Sequence, residues 1–301
     1  MNAINDSSDH VIKKNSIVFL ILDNRRRWIV KVKPGENFQT HRGYIEFDDI
    51  IGKPYGSVVF SRPRDTQGYK FYVLRPLISD YVQHIRRKTQ IIYPEDAGLI
   101  LMYSGIGPGS KVLEAGCGSG ALTCILGAYV GSHGHIYSYD VRHKSLQQAK
   151  HNVKKVGLDE VVSIQEGDII EDDFEFQNID SVVLDLAQPW KAIKKVKKYL
   201  KLSGTVVSFS PTIEQVKKTY FAFKKQGFFE INACELLKRD LQIKENATRP
   251  NGRMIGHTGY LIFARKIADQ ENPYRGIKPE KPEKVSFEGM PLGGGYLEEN
   301  D

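Results

Sequence analysis

Cysteine is scarce in this chain. There are three among 301 residues, Cys117, Cys124 and Cys234, and no two form a C-x-x-C pair. Such a set argues against a disulfide framework or a zinc ribbon and reads as small apolar residues in or near a core. No metal is expected. Long apolar runs are lacking too, and nothing approaches the length that crosses a bilayer. The segment 17–22 is apolar but too short for the hydrophobic region of a secretion signal, and no cleavage-like site follows it. A cytoplasmic location is the default expectation.

What is present is a soluble, globular composition with a basic excess. Hydrophobic residues make up 41% and charged residues 26%, and the net charge is +7. The basic residues cluster: Arg25-Arg26-Arg27, Arg86-Arg87-Lys88, the stretch 191–201, and Lys217-Lys218 with Lys224-Lys225. In the stretch 190–200, Trp190, Ile193, Val196 and Leu200 share one helical face, and Lys191, Lys194, Lys195 and Lys198 crowd the other. Any one cluster is explained by a solvated surface. Four together tilt the balance toward a nucleic-acid partner.

The chain changes character along its length. Residues 1–11 read as a flexible leader. Residues 12–78 show short strands (17–22, 28–33, 58–60, 69–74) broken by turn residues, which predicts a small, partly closed β-barrel. A connecting helix is expected over 79–88, within a linker and cofactor-covering segment 79–110. The rest of 79–268 alternates strands (111–114, 135–139, 161–165, 181–186, 205–209, 228–236, 260–265) with helices (120–130, 142–156, 190–200, 212–225). That alternation predicts an α/β fold with a mostly parallel seven-stranded sheet covered on both faces. Only a loop joins the last two strands, so the final strand should run antiparallel. Residues 269–301, rich in Pro, Gly, Glu and Lys, read as a disordered tail.

One segment carries most of the chemistry. V-L-E-A-G-C-G-S-G over 112–120 reads as a buried strand, a glycine turn and a helix start. Glycines let a backbone pass close under a ligand, and the turn delivers that ligand to a helix N-terminus. The spelling also satisfies the dinucleotide pattern G-x-G-x-x-G/A, with Asp140 about twenty residues on, so a dehydrogenase fits it as well. Other acids favour a different ligand. Glu114 precedes the first glycine, where a carboxylate could accept from an ammonium group. Asp140 follows the second strand and suits a ribose diol. Asp168, in E-G-D-I, follows the third and suits an adenine edge. The set fits S-adenosylmethionine, although turn capping accounts for any one of the acids alone.

Asp185, in D-L-A-Q-P-W, closes the fourth strand, which in this sheet order lies beside the first. The proline pattern differs from the Asn/Asp-Pro-Pro-aromatic motif of exocyclic-amine methylation. No cysteine stands near this strand end, so carbon-5 pyrimidine chemistry lacks its nucleophile. Adenine N1 has its own lone pair. A carboxylate that accepts from the adjacent amino group holds the ring and offsets the charge arriving on it. Asp185 fits that role.

These residues resemble a known family, the tRNA (adenine-N1)-methyltransferases, and are similar to the catalytic subunit of the two-subunit eukaryotic enzyme. The resemblance spans about residues 15–268. It rests on T-H-R-G-Y-I-E-F-D-D-I-I-G-K-P-Y-G-S at 40–57, R-K-T-Q-I-I-Y-P-E-D at 87–96, the glycine turn, D-L-A-Q-P-W, and R-P-N-G-R-M-I-G-H-T-G-Y at 249–260. It implies a class I (Rossmann-like) methyltransferase domain after an N-terminal β-barrel. The implied reaction is methylation of adenine 58 in the T-loop of tRNA, and also 57 in archaeal relatives, and the implied assembly is a homotetramer. By the family pattern, Gln90, Gly116, Gly118, Ser119, Gly120 and Leu122 join the acids around the cofactor. Tyr93 lines the acceptor pocket and shares catalysis with Asp185, and Arg249 and His257 lie on the substrate side. Position 95 is Glu where the family pattern has Lys, which puts a phosphate contact there in doubt. Two other readings stay open: a methyltransferase for another acceptor, such as an isoaspartyl carboxylate or a small molecule, and an RNA-binding subunit without cofactor.

Overall fold

The computed structural model describes residues 10–62, 68–85 and 90–269. Expectations for 1–9 and 270–301, and for the basic run from Arg86 to Lys88, fall outside the described residues.

The first part of the chain forms β1 (Ile17–Ile21), β2 (Arg27–Lys31), β3 (Asn37–Thr40), β4 (Gly43–Glu46), β5 (Ser57–Phe60) and β6 (Lys70–Leu74). Four of these make an antiparallel sheet in the order β2-β1-β6-β5, and β3 and β4 form a separate hairpin. The hairpin is joined to the sheet by the bridge of Tyr44 with Arg62, just past β5. The core of the module gathers Val18, Leu20, Ile45, Ile50, Phe71 and Val73. Ile17 and Ile29 turn the other way and pack on the core of the following domain. Phe19 meets His84 edge-on, with ring centroids 5.4 Å apart.

Next come α1 (Ile78–His84) and α2 (Pro94–Tyr103), then β7 (Lys111–Ala115), α3 (Ala121–Val130), β8 (His135–Asp140), α4 (His143–Lys155) and β9 (Val162–Glu166). They are followed by β10 (Ile179–Leu184), α5 (Pro189–Tyr199), β11 (Leu200–Ser210), α6 (Ile213–Lys225), β12 (Phe228–Glu235), the short β13 (Leu241–Gln242) and β14 (Arg249–Pro250), and β15 (Tyr260–Lys266). The seven-stranded sheet has the order β12-β15-β11-β10-β7-β8-β9. Strand β15 is antiparallel to both neighbours, as the loop connection predicts, and β10 lies parallel beside β7.

Alternation along the strands explains the two covered faces. Val112, Ile136, Val183 and Val207 face the core built with α1 to α4. Leu113, Val182, Leu184 and Val206 face the core built with α5 and α6. In α5, Ala192, Ile193, Val196 and Tyr199 are buried. Some of its lysines are used within the chain. The Lys195 Nζ donates to the Asp172 carbonyl at 2.8 Å, and the Lys197 Nζ to the Gln226 carbonyl at 2.7 Å. Helix α2 was not foreseen. Pro94 sits at its first turn, which tolerates a missing N–H, and the acids Glu95 and Asp96 follow it.

Candidate active site

The carboxyl ends of β7, β8, β9 and β10 stand side by side. Ala115 pairs with Tyr139, Asp140 with Glu166, and Leu184 with Ala115. Beyond these ends opens a cavity of about 600 Å³. Six residues expected from the sequence line it together: Gln90, Gly116, Gly118, Asp140, Asp168 and Asp185.

The glycine turn shapes one wall. Gly118 has a positive φ of 52°, and its N–H donates to Asp140 Oδ2 at 3.0 Å. A Cβ at Gly116 would stand 3.1 Å from that same Oδ2. Gly120 has another task. It caps α3 with φ of 79°, and a Cβ there would lie 2.9 Å from the Ala149 Cα of α4. Its missing side chain lets two helices approach. Ser119 and Leu122 are buried and absent from the cavity wall. The Ser119 carbonyl accepts from Asn152 Nδ2 at 2.8 Å. These three support the turn from behind, where the sequence pattern placed them against the cofactor.

Glu114 also lies behind the turn. It is 1% exposed and is not part of the cavity wall. Its Oε2 accepts from Thr123 Oγ1 at 2.6 Å and from Ser138 Oγ at 2.5 Å. Burial pushes its pKa up to about 7, the two hydroxyls pull it down, and Asp185 and Asp140 add repulsion. The expectation that it receives an ammonium group is corrected. The side chain of a buried strand residue alternates inward, so Glu114 braces α3 and β8 against β7.

Asp140 is 4% exposed. Its Oδ1 accepts from the Arg142 backbone N–H at 2.9 Å, and the Arg142 guanidinium also reaches the carboxylate. Asp168 Oδ1 accepts from the Ile170 N–H at 2.8 Å. Asp185 is fastened through its backbone. Its N–H donates to the Ala115 carbonyl at 2.7 Å, and its carbonyl accepts from the Gly116 N–H at 3.3 Å. Asp185 is exposed and borders the cavity. Desolvation raises the carboxyl to about 6, Arg142 works against the rise, and Asp140 adds to it.

Tyr93 is at the N-cap of α2 and faces a second, smaller cavity. Its hydroxyl accepts from Gln90 Nε2 at 3.3 Å, so the two residues join the walls of adjoining spaces. His257 lines neither cavity. Its Nδ1 meets Glu235 Oε1 at 2.7 Å and its Nε2 meets the Pro211 carbonyl at 3.0 Å. Both partners are acceptors, which favours the doubly protonated ring, and its pKa is raised by Glu235 first and Pro211 second. His257 ties the β12 end to the loop after β11. Arg249 is exposed on β14, outside both cavities. Glu95 pairs with Lys238 at 2.5 Å, which gives the unexpected acid an internal partner.

Among the residues of the large cavity that went unnoticed in the sequence are Val141, Arg142 and Phe209. Val141 is 57% exposed and follows Asp140 directly, and an apolar residue just after a ribose acceptor would have been a usable signal. The wall suits S-adenosylmethionine. Gly116 puts no side chain beside the Asp140 carboxylate, two carboxylates stand at successive strand ends, and Val141 and Ile169 offer apolar surface for a flat base.

A seven-stranded sheet of this order, with the glycine turn and acids at its carboxyl edge, defines a class I, S-adenosylmethionine-dependent methyltransferase. The fold matches an S-adenosylmethionine-dependent O-methyltransferase from Thermotoga maritima with a TM-score of 0.79 and 30% identity, covering 90% of this chain and all of that one. It matches a tRNA (m1A58) methyltransferase TrmI from Aquifex aeolicus with a TM-score of 0.71 and 27% identity, covering 86% and 100%.

Residues 69–250 match the family described as the tRNA methyltransferase complex GCD14 subunit, and residues 18–59 match the TrmI-like N-terminal family. Over 272 residues the chain is 34% identical to the tRNA (adenine(57)-N(1)/adenine(58)-N(1))-methyltransferase TrmI of Methanocaldococcus jannaschii, covering 82% of this chain and 94% of that protein. The chain belongs to the GCD14/TrmI family of tRNA methyltransferases.

Proposed function

We propose that this protein methylates N1 of adenine in the T-loop of tRNA, at position 58, using S-adenosylmethionine. The observation that carries the reading is the place of Asp185. It borders the cavity beside the glycine turn, in a chain 34% identical to an enzyme named for that reaction.

Bound S-adenosylmethionine supplies a methyl group on a positively charged sulfur, open to attack by a ring nitrogen. Gly116, Gly118, Asp140, Asp168 and Gln90 would hold the cofactor. Asp185 would accept from the exocyclic amino group of the acceptor adenine and keep the ring in one orientation. N1 carries a lone pair and no proton, so no base has to remove one. The methylated ring gains a positive charge, which Asp185 would balance. Tyr93, on the wall between the two cavities, would border the acceptor base. A homotetramer in the cytoplasm belongs to the same proposal. Strand β12 is an open edge of the sheet, and Phe229 on it is 36% exposed, surface that an assembly of copies would cover.

The test is direct. The protein is incubated with an unmodified tRNA transcript and labelled S-adenosylmethionine, and the product nucleoside and its position are read by mass spectrometry. 1-Methyladenosine at 58 is the expected product. Label on peptides or small molecules, with none on tRNA, would replace the reading by a different acceptor.

A further inference from the structure

Helix α6 follows Thr212, and its first turn closes a capping box between Thr212 and Gln215. The Gln215 N–H donates to Thr212 Oγ1 at 3.3 Å. Gln215 Oε1 accepts from the Thr212 N–H at 3.1 Å and from Thr212 Oγ1 at 2.8 Å. The other end of the same amide leaves the helix. Gln215 Nε2 donates to the Ala187 carbonyl at 3.0 Å. The partners fix which end is which, since a backbone N–H only donates and a carbonyl only accepts.

Ala187 lies two residues after Asp185, in the loop between β10 and α5. Asp185, Ala187 and Gln215 all border the large cavity. The Asp185 backbone is fixed toward β7 through Ala115 and Gly116. Past that point the chain leaves the sheet, and Ala187 and Gln188 are exposed. The Gln215 amide fastens this exposed stretch to α6. The helix is a firm support, because Thr219 and Phe223 are buried beneath it. The Pro211 carbonyl, one residue before its cap, is held by His257 Nε2 at 3.0 Å.

We propose that Gln215 is a positioning residue for Asp185. Its amide latches the Asp185 loop to the α6 cap and so keeps the carboxylate aimed at the acceptor base. An exposed aspartate followed by a free loop would sample several rotamers. Each departure from the productive one slows transfer without weakening the cofactor's hold. The inference rests on the adenine-methylation reading.

Gln215→Glu separates the two ends of the amide. A carboxylate still accepts from the Thr212 N–H and hydroxyl, and negative charge suits a helix N-terminus. It has no donor for the Ala187 carbonyl, so the cap stays and the latch opens. The readout is single-turnover formation of 1-methyladenosine, with the full chain in excess over an unmodified tRNA transcript. The rate should fall at least about tenfold, with cofactor affinity within about threefold of wild type and an unchanged melting temperature. The loss should persist on the high-pH plateau. Recovery there would mean that the new charge merely shifts the Asp185 titration, and would overturn the latch. In an Asp185→Ala background the substitution should cost nothing further. An added loss in that background would show Gln215 acting on its own, and would overturn it too. Thr212→Ala weakens the cap and keeps the latch donor. It should lower the melting temperature and leave the rate within about threefold. Equal rate losses in Thr212→Ala and Gln215→Glu would assign the effect to the cap instead. If the wild type forms no 1-methyladenosine, the adenine reading fails and the latch with it. If it does and Gln215→Glu keeps pace, only the latch fails.

Discussion

The guanidinium of Arg142 grips the carboxylate of Asp140 side-on, Nε to Oδ1 and Nη2 to Oδ2, each at 3.1 Å. Together with the Gly118 and Arg142 backbone N–H groups, these contacts engage both oxygens before any ligand arrives. The Arg142 side chain is 58% exposed, so it is the partner that can yield to ribose hydroxyls. Asp140→Ala should weaken S-adenosylmethionine binding by roughly 10- to 100-fold, the worth of hydrogen bonds to a charged group. Arg142→Ala should change it by no more than about threefold, since the solvent-facing pair adds little. Calorimetric titration separates the two, and equal losses would make Arg142 itself a ligand contact.

In the proposed reaction Asp185 acts on the acceptor and does not hold the cofactor. Asp185→Ala should lower the single-turnover methylation rate on tRNA by at least about 100-fold, as expected when a charge-stabilising group is removed. Cofactor affinity should stay within about threefold. A mutant that transfers methyl at the normal rate would remove Asp185 from the mechanism.

The same residue sets a pH limit. Its carboxyl is raised to about 6, by desolvation first, with Arg142 opposing. Below that pH it is protonated and cannot serve as a charged acceptor for the amino group. The single-turnover rate should therefore fall as pH drops through about 6 and level off above it. Removing Arg142 removes the opposing influence, so the limb of Arg142→Ala should lie at higher pH. Superimposable profiles for the two proteins would show that another group titrates.

Much of this site was legible because it follows periodic rules. The strand–turn–helix at Gly116 to Gly120, and the acids at a strand end (Asp140) or within two residues past one (Asp168 and Asp185), follow from alternation and sheet order alone. Position along the strand did not reveal which way Glu114 points, because a buried parallel strand is apolar on both faces and one acid fits either. Ser119, Gly120 and Leu122 belong to the glycine motif, yet helix packing accounts for them. Helix α2 was obscured because its weakly patterned ten residues follow a Pro in a segment read as linker. The β3–β4 hairpin was missed because its strands are four residues each, although its turn residues Arg42 and Gly43 were noticed. Ala187 and Gln215 lie far apart in sequence, and only the fold shows that a hydrogen bond joins them.

Gly259 explains the second glycine of M-I-G-H-T-G-Y. A Cβ there would lie 2.2 Å from the Phe209 ring, and Phe209 is 6% exposed and lines the large cavity. Gly259→Ala must displace that ring or the backbone, at about 1–3 kcal/mol of stability. Since Phe209 borders the cofactor space, affinity for S-adenosylmethionine should fall along with the melting temperature. A drop in stability with unchanged affinity would mean that the ring moves away from the cavity.

Glu114 makes the unliganded protein sensitive to pH in a defined direction. Its pKa is 4.5 in the unfolded chain and about 7 when folded. Between those values the folded state holds a proton that the unfolded state has lost, so the favourable contribution present below 4.5 disappears as pH rises through about 7. Glutamine keeps an oxygen for Thr123 and Ser138 and carries no charge. Glu114→Gln should therefore match the wild type near pH 5 and exceed it near pH 8 by on the order of 2 kcal/mol, or roughly 5 °C in melting temperature. Thermal unfolding without ligand at the two pH values measures the difference. A gap that stays constant with pH would mean that Glu114 is ionised throughout, and that the buried charge is balanced by the turn above it.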